Sequence, residues 1–215
     1  MGARRVVALA FLLALGLSAC SSSRSPSAYD GPVVSPSPAV DPGSLPGIQD
    51  PPAPWAPELD HLGDRLAAIG LPALTVEGHA MDVHVVVAVF VEGNPVAVPS
   101  GIGLNGQEDS GTMLTGFVSP LHTHDASGLI HIHSPEVRPY WLGLVFDVWG
   151  VRFTRDCLGP YCTSGGEALR VFVNGDEVTG ADPRNVELQQ GDTIVVAFGT
   201  EQQLPDPIPS AFPAS

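Results

Sequence analysis

The chain has 215 residues and a formal net charge of −14, with 23 acidic side chains against nine arginines and no lysine. That balance argues against a binder of nucleic-acid phosphates or anionic lipid headgroups, which needs a cationic surface, and favours cations as charged partners. Hydrophobic residues make up 44% of the chain, enough to bury one ordinary core.

Met1 to Cys20 reads as a secretory signal, with Arg4 and Arg5, an apolar run from Val6 to Leu17, and then Ser18-Ala19-Cys20. The run is short for a bilayer span and ends in small residues, as a cleaved signal does. Leu17-Ser18-Ala19-Cys20 resembles the bacterial lipoprotein box. The resemblance implies removal of residues 1–19, a diacylglyceryl thioether on Cys20, and a lipid-anchored protein on the outer face of the cytoplasmic membrane. Lipid is then its only hold on the membrane. Residues 20–57 are rich in serine and proline and read as a solvated linker. A single globular domain is expected over 58–201, followed by a disordered tail over 202–215.

Within the domain, Leu59, Leu62, Leu66 and Ile69 follow helical spacing, and Gly70 is placed as the cap of a helix over Glu58–Ile69. Asp82 to Val91 is β-branched, and Glu92-Gly93-Asn94-Pro95 turns it into a second strand at Val96-Ala97-Val98. A loop-rich passage over 100–119 leads into Leu121-His122-Thr123-His124-Asp125-Ala126-Ser127-Gly128-Leu129-Ile130-His131-Ile132-His133. Beyond it, Tyr140 to Trp149 predicts a short amphipathic helix ended by Gly150. Ala168–Val178, Val186–Leu188 and Thr193–Phe198 predict further strands. The sum is an α+β domain, a small mixed or antiparallel sheet of hairpins with one or two packed helices, of the β-grasp type.

Four of the seven histidines fall between residues 122 and 133, as two His-x-His pairs. Side chains two apart on a strand share a face, so each pair can present two imidazoles together. A two-residue turn at Ala126-Ser127 sets His122 opposite His131, gathering His122, His124, His131 and His133 on one face and Leu121, Thr123, Ile130 and Ile132 on the other. A slip of one residue would mix both faces. Imidazole suits copper, zinc, nickel and iron, and the affinity order favours copper, so copper or zinc is the expected ion. His84, at the start of the buried strand, is a candidate fifth ligand, whereas His79 and His61 fit a surface role. Asp125 and Asp147 are candidates to hold an imidazole from behind. Cys157 and Cys162 are expected to pair as a local disulfide, with a Cys-x4-Cys metal contribution as the rival.

The histidine run, Tyr140–Gly150, Val173-Asn174-Gly175 and Gln190–Gly199 together resemble an uncharacterised family of exported or membrane-anchored bacterial and archaeal proteins. The resemblance spans most of residues 76–200. It implies a His-x-His before the first strand, where this chain has Asp82 and His84, and often a glutamate at the position of His133.

Three functions fit the sequence. The domain binds a metal for handling and passes it to an extracytoplasmic protein partner; or it is a metalloenzyme with an open coordination position and Asp125 or Glu136 as base; or it is a metal-free interaction module. No Gly-x-Ser-x-Gly elbow, Walker loop, Gly-x-Gly-x-x-Gly or His-Glu-x-x-His motif is present. His122-Thr123-His124-Asp125 falls short of the His-x-His-x-Asp-His of metallo-hydrolases, because its aspartate is one place early and no histidine follows.

Overall fold

A computed structural model describes residues 40–211; the expected signal sequence and Cys20 lie outside them. The main sheet contains β1 (Met81–Val91), β2 (Asn94–Val96), β3 (Leu121–His122), β4 (Leu129–Ser134), β5 (Ala168–Val173), β6 (Asp176–Glu177) and β7 (Thr193–Gly199). Its order is β6-β5-β7-β1-β4-β3, with β2 on the remaining length of the β1 edge that β4 occupies. First and last strands run parallel at the centre, from Val86↔Thr193 to Val91↔Phe198, and each carries an antiparallel neighbour on its other side. This is the small mixed sheet of an α+β domain expected of the sequence.

Strand β1 shows why the pattern folds this way. Val85, Val87, Val89 and Val91 are buried on an inner face, toward the helices. Ala88 and Phe90 pack on the outer face against Phe172, Val195 and Ala197. The central β7 is buried at every position, as a strand covered on both faces should be.

Two helices cover the inner face: α1 (Leu62–Ile69) and α2 (Leu142–Trp149). Gly70 and Gly150 cap them in the left-handed conformation, at φ 70° and 83°. Helix α2 differs from the amphipathic expectation, because all eight of its residues are buried. A helix covered on every side has no polar stripe to keep.

Part of its cover comes from a stretch that composition assigns to the linker. Leu45 and Trp55 are buried, Gln49 bridges to Val151, and Trp55 meets Trp149 edge-on at 6.0 Å. The domain therefore begins by Val40 rather than at 58, since a few apolar anchors among prolines suffice to dock the chain. The expected tail is likewise packed in part: a capping box at Thr200 and Gln203 leads to Leu204 and Ile208, which lie over the outer apolar cluster.

Two smaller corrections follow. Helix α1 starts at Leu62, because Glu58 is engaged with His61 and Arg65 ahead of the first turn. Glu187 of the expected strand Val186–Leu188 makes one isolated bridge, to Trp141. Cys157 and Cys162 are disulfide-bonded, which removes their thiolates from any metal set. Among the described residues no helix is long and apolar enough to cross a membrane.

Candidate metal centre

The register places the histidines. His122 pairs with His131 and Leu121 with Ile132, while on the other side of β4 His131 pairs with His84 and His133 with Asp82. Residues directly opposite share a face, so His84, His131 and His122 form a row across β1, β4 and β3 on the outer face. Leu121, Thr123, Ile130 and Ile132 are buried, as the expected split of the hairpin requires.

The turn itself is wider than expected. The ladder ends at His122, and Thr123 to Gly128 forms a loop in which Asp125 Oδ1 accepts the Ser127 N–H at 2.8 Å and Ser127 Oγ accepts the Leu129 N–H at 3.2 Å. Gly128, at φ 84°, passes so close to the Val87 carbonyl that a Cβ would sit 2.5 Å from its oxygen. His124 thus leaves the strand, yet its Nε2 lies 3.2 Å from His122 Nε2. Asp125 is an exposed turn-former whose carboxylate is engaged by Ser127, and that role displaces the expected one of holding an imidazole.

Asp147 is also placed elsewhere. Its two carboxylate oxygens accept from Arg184 at 3.1 and 2.7 Å inside the core, and burial raises its pKa despite that partner. No imidazole is served by it. Exposed Glu136 is tied through its backbone to Ser134 Oγ at the turn after β4. His61 bonds Glu58, and His79 is exposed and outside the cluster.

Sequence reasoning missed Glu77. Gly78 lets the chain cross tightly over the end of β4, where a Cβ would lie 2.0 Å from the Ser134 carbonyl carbon, and Glu77 hangs over the histidine face as a result. Its Oε2 accepts from His133 Nδ1 at 2.7 Å. Its Oε1 lies 2.9 Å from His122 Nε2 and 3.4 Å from His124 Nε2. Two more carboxylates stand at the edge. Glu108 Oε2 is 3.3 Å from His124 Nδ1, and Asp82 Oδ1 is 3.3 Å from His133 Nε2 and 3.5 Å from His84 Nδ1. His84 Nε2 is 3.0 Å from His131 Nδ1. A glycine-flanked acid just ahead of the first strand was the only local signal for Glu77.

Protons at the centre are sparse. His122 Nδ1 donates to the Ser119 carbonyl at 3.0 Å, in a residue only 1% exposed. Burial lowers the His122 pKa against the pull of Glu77, so the ring is neutral and its Nε2 carries a lone pair. Lone pair and carboxylate oxygen therefore face each other with no proton between them, and buried Oε1 takes no hydrogen bond. A cation resolves this contact. An ion held at about 2.0–2.1 Å by nitrogen and oxygen sets tetrahedral donors roughly 3.3 Å apart. The edges joining His122 Nε2, His124 Nε2 and Glu77 Oε1 measure 2.9, 3.2 and 3.4 Å. His131 also offers a donor within 4.8 Å of His122 and His124.

With chelator present, the melting temperature should fall as pH is lowered from about 6.5 toward about 4. Burial, then the neighbouring histidines, lowers His131 from 6.5 to about 4, and His122 shifts the same way. The unfolded chain binds more protons across that window, so stability rises with pH through it. Melts at pH 7.5 and 5 check this; His131→Gln should flatten the difference.

No family model, curated protein or solved structure matches the chain.

Proposed function

We propose that this domain binds a transition metal, copper or zinc, at the face built by His122, His124, His131 and Glu77, with His84 and His133 beside them. The observation that carries the reading is the convergence of His122 Nε2, His124 Nε2 and Glu77 Oε1 at 2.9–3.4 Å, with Oε1 buried and taking no hydrogen bond. Buried imidazole and carboxylate are ordinary ligands for these ions, and the Ser119 carbonyl fixes the His122 tautomer as metal-bound histidines require.

Handling of the ion fits better than catalysis. The His124 side chain is 36% exposed, so the centre opens to solvent where a partner protein can approach. The cavity of about 390 Å³ beside Trp141, Asp147 and Arg184 is lined by none of these histidines. Lipid on Cys20 would keep the domain at the outer face of the cytoplasmic membrane, where it would receive or deliver its ion.

The test is metal analysis by mass spectrometry after loading the full chain with copper, zinc, iron and nickel together. At least one ion per chain is expected, lost in the His122→Ala/His131→Ala double variant while circular dichroism stays native. Wild-type protein that emerges without metal would sink the reading.

A further inference from the structure

We infer that the histidine face holds two metal ions, joined by the imidazole of His131. The inference rests on the metal-binding reading above and extends it from one ion to a pair. His131 occupies the middle of the row, between His84 on β1 and His122 on β3. It belongs to two donor groups, one with His122 and His124 and one with His84 and His133, each with donor atoms within 4.8 Å of one another. Its Nδ1 is turned to His84, 3.0 Å from Nε2 of that ring, which leaves Nε2 as the nitrogen for the His122 and His124 side.

Each group has its own carboxylate and its own fixed tautomer. On the β3 side, Ser119 holds the His122 proton on Nδ1 and Glu77 Oε1 completes the set. On the β1 side, His133 donates from Nδ1 to Glu77 Oε2, so its Nε2 lone pair faces Asp82 Oδ1 at 3.3 Å. With His131 shared, the first ion has His122, His124, Glu77 and His131, and the second has His84, His133, Asp82 and His131. Five imidazoles and two carboxylates exceed what one four-coordinate ion can use, but they match two ions that share a ring.

The charges also balance. Binding the second divalent ion displaces the remaining His131 ring proton to solvent, leaving an imidazolate with a single negative charge between the two cations. Together with Glu77 and Asp82, it reduces a charge of four to one. No redox step is involved.

Copper(II) titration of the full chain, followed by mass spectrometry and electron paramagnetic resonance, tests the pair. Two ions per chain are expected, with a signal that grows to one equivalent and then falls as the bridged pair couples. His84→Ala, at a half-exposed position, should bind one copper with full spin intensity and keep a native circular dichroism spectrum. His131→Ala should show no coupling at any loading. One ion per chain, unchanged by His84→Ala, overturns the second position; two ions with full, uncoupled intensity overturn the bridge. Failure to bind copper or zinc at all overturns the metal-binding reading itself, an outcome distinct from both.

Discussion

Replacing Arg65 with methionine is expected to cost about 3–5 kcal/mol of stability, the range for breaking a buried ion pair by removing one partner. Arg65 lies on α1 with 0% exposure, and its donors are all engaged. Nε bonds the Asp147 carbonyl at 2.9 Å, and Nη2 reaches the Val148 carbonyl at 3.3 Å, so the cation sits at the C-terminus of α2, where carbonyls lack helical partners. Nη1 bonds the Pro46 carbonyl at 3.0 Å and the Glu58 carboxylate, and Nη2 also meets the Glu58 carbonyl. One side chain thus ties the segment before α1 to both helices. Methionine fills much of the stem's volume but satisfies none of these oxygens. Denaturant unfolding followed by tryptophan fluorescence would measure the loss. A cost below about 1 kcal/mol, an ordinary value for a point mutation, would show that the network is dispensable.

Glu77→Gln should lower affinity for the bound ion about 100-fold or more, since changes merely behind a ligand already cost 10–100-fold. Its effect on the metal-free protein is the more telling result. At position 77 the amide can donate to the bare Nε2 of His122, while its oxygen still accepts from His133. The metal-free variant should therefore melt at or above the wild-type temperature, even as metal ceases to stabilise it. Calorimetry with and without zinc gives both numbers. A metal-free variant clearly less stable than wild type would mean that Glu77 and a charged His122 form an ordinary ion pair, and the case for a cation between them would fall.

The strand register was legible because it follows from alternation: shifting one residue would turn His122 into the apolar core and Leu121 onto the histidine face. His84 was a candidate ligand from its place at the start of a buried strand, but only the sheet order sets it beside His131. Caps at Gly70 and Gly150 were equally readable from local chemistry. Glu77 was not, since it reaches His133 across 56 residues and no periodicity announces such a contact. Trp55 and Leu45 were lost in a proline-rich composition that reads as solvent-exposed, although two or three apolar anchors outweigh it once α2 offers a surface. Asp147 drew attention as an acid among core residues, and Arg184, 37 positions away, explains it.

Alternation along β4 has a further consequence. Ile130 and Ile132 hold the strand to the core, while His131 and His133 face outward, so stability and ligand chemistry are written in different residues of one strand. Exchanging an outward imidazole for a carboxylate leaves the packing layer untouched. The sheet is in this sense a fixed board with interchangeable pegs, on which the preference for one ion over another can drift, or be engineered, without the fold having to change.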